Sequence, residues 1–383
     1  GIQIRGMPAA YTLLLIDGKR VGSSNGIKTT QQNYFDDINW LPVDSIERIE
    51  IVRGPMSALY GSDAMGGVVS IITKKNSNND WHGALSVGTR QPKDSDRGDT
   101  NTWTGTVGGP LGHGFDLRLS GSTNKRNADT SETGSLRWGS GLEGKKIYTY
   151  GADLGWDITD TQRVSLSTLQ GKEQGIAGNS HTGEQISLRG VDKLERENYT
   201  ADYTGLFDFG SVKFTAYQNK YKNFASDVPI ISNGTALGTH DTYLWSRERI
   251  VEGDINLPFE LLLPQNLTLG AQWKKEELEN PRSLGTVADS PETYGQSHGS
   301  AISKGIFVED QVDLLDDLTL TLGLRRDDTK YGNKTTPRAY LVWNATESLT
   351  FKGGYSEGFK APSIRQASLG FIETSRGAAC NGY

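Results

Sequence analysis

The chain has 383 residues, with 40 Lys plus Arg against 46 Asp plus Glu for a net charge of −6, and only 35% hydrophobic residues beside 47 glycines. That is too little apolar material for large soluble cores, and without a basic stripe it gives no reason to expect nucleic acid as a partner. No run approaches the roughly 18 consecutive apolar residues of a membrane helix, which excludes a helical span and leaves open a membrane barrel, whose alternating strands a hydropathy average does not register.

In chain order, Gly1-Ile2-Gln3-Ile4 reads as a strand already under way, followed by Ile4-Arg5-Gly6-Met7 and by Tyr11 to Arg20, an apolar run closed by Asp17-Gly18. Ile46 to Lys75 organises the chain. Ile46-Glu47-Arg48-Ile49-Glu50-Ile51-Val52 is β-prone, Arg53-Gly54-Pro55 stops it, and Met56 to Tyr60 allows only a brief helical turn. Gly61, Gly66 and Gly67 then release Val68-Val69-Ser70-Ile71-Ile72-Thr73, a β-branched strand ended by Lys74-Lys75. The sequence therefore predicts a small α/β unit over residues 1–75 and a polar linker over 76–80.

From Trp81 to Tyr383 the texture changes to segments of about ten residues that alternate apolar and polar, the period that turns one set of side chains to lipid and the other to a lumen. Leu318, Leu320, Leu322 and Leu324 should face lipid, with Thr319, Thr321, Gly323 and Arg325 inward; Phe115, Leu117 and Leu119 oppose Asp116, Arg118 and Ser120 in the same way. Tight turns are expected near 108–114, 157–162, 208–211, 314–317 and 344–348. Long polar loops are expected over 124–146, 172–195, 223–245 and 278–303, so short and long connections alternate as they do at the two ends of an outer-membrane barrel. Trp81, Phe115, Trp156, Trp273, Trp343 and Tyr355 lie near proposed strand ends, where girdle aromatics sit. Roughly thirteen strands are expected, just over half of the ~22 of a plugged outer-membrane transporter.

Catalytic chemistry finds no support. His82, His113, His181, His240 and His298 are scattered, without ligand spacing; Gly105-Thr106-Val107-Gly108-Gly109 lacks the Lys-Ser/Thr of a phosphate loop; Ser57 and Ser62 sit in no nucleophile elbow. No enzyme, no cofactor and no resident metal are expected.

The run IERIEIVRGPMSALYGSDAMGGVVSIITKK, with Ile4-Arg5-Gly6-Met7 and Tyr11 to Arg20 upstream, resembles the plug domain of TonB-dependent outer-membrane receptors, nearest the colicin I receptor and ferric enterobactin receptor type. Phe359-Lys360-Ala361-Pro362-Ser363 resembles a motif common across these receptors. The resemblance implies an all-β membrane barrel, antiparallel and 22-stranded when complete, with residues 1–75 as the C-terminal part of a plug in the lumen of a barrel that begins at residue 81. It implies uptake of a ferric siderophore, catecholate in type, across the bacterial outer membrane, energised by TonB through a box absent from this sequence. Haem or cobalamin uptake, a passive porin and an adhesin are the alternatives. Haem receptors carry a histidine soon after a motif related to 359–363, and none follows here.

By the same resemblance Arg5 and Arg53 latch the plug to carboxylates on the barrel wall. Candidate contacts for an anionic chelate are Lys28, Asn33 and Tyr34 on the apical plug loop and Arg126, Arg137, Trp138, Tyr243 and Trp245 on surface loops. Each alone is more often ordinary loop decoration. Outer-membrane lipid, colicins and phage are further partners the resemblance brings in, and a monomer is expected. The sequence starts at Gly1 and finishes in a loop-like stretch, so both ends are expected to continue. The single cysteine, Cys380, is expected to pair with a cysteine further on or to stay a loop thiol.

Overall fold

The computed structural model describes residues 2–22, 40–74, 80–94, 97–129, 144–176, 192–227, 230–232, 235–237, 240–279 and 298–367. The first unit is a four-stranded sheet, in the order β2-β1-β4-β3, of β1 (Thr12–Ile16), β2 (Lys19–Arg20), β3 (Ile46–Arg53) and β4 (Gly67–Thr73). Asp17 and Gly18, at φ 50° and 79°, make the tight β1–β2 turn. The Asp17 carboxylate then takes hydrogen bonds from the Thr73 N–H and hydroxyl, both at 2.8 Å, which ties that turn to the end of β4. β1 runs parallel to β4, and β3 lies antiparallel on its other side. Leu13, Leu15, Ala64 and Val68 form the core under the helical turn α1 (Ser57–Tyr60), with Met56 and Tyr60 packed against it. The strand, turn and strand read from Ile46 to Thr73 are present at those positions.

The second unit is one antiparallel sheet of thirteen strands, neighbours in sequence being neighbours in space. Its strands are β5 (His82–Arg90), β6 (Thr100–Gly112), β7 (Phe115–Arg126), β8 (Gly144–Thr159), β9 (Gln162–Ile176), β10 (Asp192–Phe207), β11 (Gly210–Asp227), β14 (His240–Leu261), β15 (Leu263–Glu279), β16 (His298–Leu315), β17 (Leu318–Thr329), β18 (Gly332–Thr346) and β19 (Leu349–Ser356). A small hairpin, β12 (Ile230–Ser232) with β13 (Thr235–Leu237), stands between β11 and β14. β5 and β19 are free edges, so the barrel is open between them. No described helix is long and apolar enough to cross a membrane.

The alternation is obeyed. Leu322 and Leu324 are exposed on the outer face, whereas Arg325 is 1% exposed on the inner one. Asp116 is buried inward and takes a 2.6 Å ion pair from Arg163, while Phe115 stacks on Trp156 outside at 5.3 Å. Trp343 stacks on Phe351 at 5.6 Å, and the Trp81 and Trp343 indoles donate to Pro110 O and Asp317 Oδ2. These aromatics gather at the end of the sheet where the turns are shortest, apolar bodies outward and N–H groups satisfied.

The long connections expected over 124–146, 172–195 and 278–303 are shorter, with strand ends at Arg126 and Gly144, Ile176 and Asp192, and Glu279 and His298, and the connections differ from expectation in three further places. The strands flanking residue 230 run on to Asp227 and resume at His240, so the loop expected over 223–245 is shorter. A turn missed in the sequence falls at Leu262, which has φ 69° and is 97% exposed. At the opposite end, β17 and β18 are joined by Lys330-Tyr331 alone, which interrupts the alternation of short and long. That turn closes tightly because Gly332 adopts φ 126° and Thr329 Oγ1 both donates to Gly332 O and accepts from the Tyr331 N–H.

The first unit lies inside the curve of the second. It touches Arg118 of β7, which donates to Lys74 O, and Ser356 of β19, which donates to Pro55 O at 2.9 Å. Those strands are ten neighbours apart, about 48 Å in a flat sheet at the usual spacing, so a unit this small can meet both only if the sheet wraps around it.

Candidate functional site: the plug seat

What positions the small unit is a set of charged and polar contacts made mostly by residues far apart in sequence. At the top of β2, Arg20 sends its guanidinium to Asp63 at 3.4 Å, to Ser62 O at 3.0 Å and to Tyr60 O, closing the turn after α1 onto the β1–β2 hairpin. Its own backbone is held by the wall: the Arg20 N–H donates to the Tyr217 hydroxyl and Asn219 Nδ2 donates to Arg20 O. Lys360 Nζ reaches the other Asp63 oxygen at 3.0 Å, donates to Ala10 O, and lies 5.4 Å from the Tyr11 ring centre. Burial works to raise the Asp63 carboxyl, but Lys274, Arg20 and Lys360 outweigh it and hold the group below the usual carboxylate range. Burial likewise opposes charge on Arg20, and Asp63 with the surrounding acids overcomes it, raising that group further.

A second contact joins α1 to the wall. Arg325, on the inner face of β17, is locked by Asp327 at 2.8 Å, accepts no exposure to water, and extends Nη1 to Leu59 O at 3.1 Å and Nη2 to Gln272 Oε1 at 3.1 Å. The guanidinium therefore caps the carbonyl end of the helical turn, where partial negative charge gathers. Gly61 makes room for it: a Cβ there would stand 2.9 Å from Arg325 Nη2, and its backbone at φ 72°, ψ −147° is one that side chains rarely adopt. Gln272 is held in turn by donating to Glu252 at 2.6 Å.

The segment after β19 folds back over this seat. The Phe359 and Ala361 N–H groups donate to Ser57 Oγ at 3.2 Å and Ser62 Oγ at 3.0 Å. Ile364 then enters a buried cluster of Leu194, Tyr221, Leu244, Leu278 and Ala301 on the inner wall. The motif at 359–363 thus serves as a strap across α1 and its following turn. Higher on the wall, the two stems of the apical plug loop are clamped: the Tyr221 hydroxyl donates to Gly22 O at 2.5 Å, Thr149 Oγ1 donates to Trp40 O at 2.7 Å, and the Arg196 guanidinium lies between the Trp40 and Tyr221 rings at 5.6 and 5.7 Å.

The residues expected from the sequence are distributed unevenly around this seat. Arg5, at φ 51°, and Arg53, at the end of β3, are both exposed; the Ile4 side chain and Arg53 backbone meet at Gly67, so the two arginines share one side of the plug. Among the described residues neither forms an ion pair. Arg126 pairs with Asp129 at the loop end of β7. Tyr243 and Trp245 lie on β14 rather than in a loop, and they flank Leu244, which is buried inward, so both turn to the outer face; Trp245 packs against His298 and Arg247 there. The structure does not bring them to the plug. Lys28, Asn33, Tyr34, Arg137, Trp138 and Cys380 lie outside the described residues. Sequence reasoning placed Arg325 inward and quoted Lys360 within its motif, but it missed the partners of both and the whole Arg20–Asp63 contact. Among the described residues, no three His, Cys, Asp or Glu side chains converge as metal ligands do.

A domain seated in a curved membrane sheet by such contacts has known counterparts. The TonB-dependent receptor plug domain model matches residues 1–68, and the TonB-dependent receptor-like β-barrel model matches residues 149–383. Over 99% of its length the chain is 32% identical to a probable TonB-dependent siderophore receptor, PirA, of Acinetobacter baumannii and 30% identical to the ferrienterobactin receptor of Escherichia coli, covering 54% and 56% of those proteins. It superposes on the solved siderophore receptor PirA of Acinetobacter baumannii with a TM-score of 0.83, and on a point mutant of the ferric enterobactin receptor PfeA of Pseudomonas aeruginosa in complex with enterobactin with a TM-score of 0.80. Identities are 29% and 30%, over 96% and 95% of this chain and 56% and 57% of those. The chain spans about half the length of the curated relatives it matches. With its plug, its alternating thirteen-strand wall and these likenesses over nearly its whole length, the chain belongs to the TonB-dependent receptors, a family whose barrel fold points to the outer membrane.

Proposed function

We propose that this chain carries the plug and part of the barrel of a receptor that binds a ferric siderophore at the cell surface and passes it across the outer membrane when TonB pulls the plug. The observation that carries the reading is the seat itself. A plug fastened through Arg20, Asp63, Lys360 and Arg325 closes a lumen that would otherwise conduct freely, which suits a gated transporter and has no purpose in a diffusion porin. The names of the relatives support a catecholate chelate as cargo, with the iron carried as substrate. The chain's own residues would bind, orient and release it, with no covalent step.

In this reading Lys28, Asn33, Tyr34, Arg126, Arg137 and Trp138 supply cation and aromatic surroundings to the anionic chelate, and Arg5 and Arg53 latch the plug to wall carboxylates. The test is uptake of radiolabelled iron by an iron-starved outer-membrane host lacking its own siderophore receptors and expressing the full-length protein. Ferric enterobactin should be accumulated only when TonB is present. Accumulation of iron-labelled haem or cobalt-labelled cobalamin when these are supplied instead, or uptake that persists without TonB, would overturn the proposal.

A further inference from the structure

The strap that follows β19 reaches one stem of the apical plug loop by two separate routes. The first is charged: Lys360 meets Asp63 at 3.0 Å, and Asp63 meets Arg20 at 3.4 Å. The second is apolar. The helical turn Ile364–Ala367 packs on β15 and β16 and sends Ile364, which is buried, into the cluster that holds Leu278 and Ala301. Tyr221 enters the same cluster from β11; it and Leu278 stand in one inward row on either side of Ser246, a side chain small enough to let the two meet above it. The Tyr221 hydroxyl donates to Gly22 O at 2.5 Å, and Gly22 lies so close to the wall that a Cβ there would stand 2.8 Å from the Tyr221 ring, from Asn219 Cβ and from Glu248 Oε2. Both routes therefore end on the stem at residues 20–22. Ile364 is the one member of its cluster that does not come from a wall strand, so the strap can leave the cluster without breaking the ladder.

We infer that Ile364 is a positioning residue for ligand binding: docked in its cluster, it keeps Tyr221 against Gly22 and so fixes the stem from which the plug offers its apical face to the chelate. It touches no ligand itself. A phenol packed on every side keeps its hydroxyl aimed at one acceptor, whereas a gap beside the ring lets it turn and the hydrogen bond lapse. Docking the strap and ordering the stem then favour one another, whichever comes first. The inference rests on the transport reading proposed above, with the chelate received at the end of the barrel that carries the long connections.

The experiment measures ferric enterobactin affinity of the full-length receptor in detergent and, without ligand, amide hydrogen exchange over residues 20–22. Ile364→Ala should weaken binding about tenfold and quicken that exchange, while the amides of β10, β14 and β15 keep their wild-type rates. Ile364→Leu, which conserves the buried volume, should restore both. Tyr221→Phe, which deletes only the hydroxyl, should reproduce the defect at about 2- to 12-fold, the worth of one hydrogen bond. Because the two changes break the same coupling, adding Tyr221→Phe to Ile364→Ala should weaken binding by no more than about a further twofold. Fully additive losses, unchanged exchange over 20–22 in Ile364→Ala, or quickening spread equally over the wall strands would overturn the role, the last by showing that Ile364 only packs the wall. Failure of the wild type to bind ferric enterobactin, with the exchange pattern as expected, would leave the coupling standing and count against the transport reading alone.

Discussion

At the residue scale, Arg325 shows how a charge is kept in a lumen. Its cost of leaving water is met by Asp327 beside it, and its remaining donors are spent on Gln272 and on Leu59 O of the plug, so one side chain joins wall to wall and wall to plug. Removing only the arginine strands the Asp327 carboxylate, itself 5% exposed. Arg325→Ala should therefore cost roughly 3 to 5 kcal/mol, because breaking one half of a buried pair leaves an uncompensated charge. It should also free the amides around Leu59 to Ser62. Arg325→Ala with Asp327→Ala should recover a large part of that cost, since the stranded charge is gone while the lost contact to Leu59 O is not. Thermal unfolding with hydrogen exchange over 57–63 separates the two outcomes; a double variant no more stable than the single one would show that the carboxylate is not the cause.

At the element scale, β17 has the clearest division of faces, and it tests the membrane reading directly. Leu320, Leu322 and Leu324 share the outer side, and Leu322 and Leu324 keep about half their surface accessible because lipid, not protein, is expected to cover them. Leu320→Arg in the full-length receptor should cost about 2 to 4 kcal/mol if the position is near the bilayer midplane. Reversible unfolding into lipid vesicles measures this, and unchanged stability would remove β17 from the lipid face. The same strand shows what local pattern carries and what it does not. Alternation placed Leu322, Leu324 and Arg325 correctly because each strand must satisfy two solvents at once. Tyr243 and Trp245 were read as loop because, near the loop end of β14, the outward row is aromatic and charged rather than apolar, and the hydrophobic period fades although the ladder continues. Arg325 and Leu59 are 266 positions apart, and Arg20 and Asp63 are 43 apart, so no local period records that they meet. Lys360 was visible only as part of a familiar motif; the carboxylate it seeks is in the other unit.

At the scale of the whole molecule, the plug is held on one side and bare on the other. Arg20, Asp63, Trp40 and α1 face described wall strands, whereas β3 presents Ile49 and Ile51, 54% and 56% exposed, beside Arg53, and Arg5 emerges next to it. A strand of alternating charge and isoleucine at the edge of a small sheet is a surface built to be covered, and in a closed barrel the covering wall would have to bring carboxylates to two arginines at once. If Arg5 and Arg53 are that latch, losing both leaves the wall acids poorly compensated and lowers the resistance of β3 and β4 to displacement, without touching the seat at Arg20 or the apical loop. Arg5→Ala with Arg53→Ala in the full-length receptor should then leave ferric enterobactin binding largely intact while hydrogen exchange quickens across Ile46 to Thr73, by roughly tenfold or more for a loss above about 1.4 kcal/mol. The amides around Leu59 to Ser62, held independently by Arg325 and the strap, should quicken less than those of β3. Unaltered exchange over Ile46 to Thr73, in a double variant properly inserted in the outer membrane, would show that the two arginines do not hold the plug and that the seat described here holds it alone.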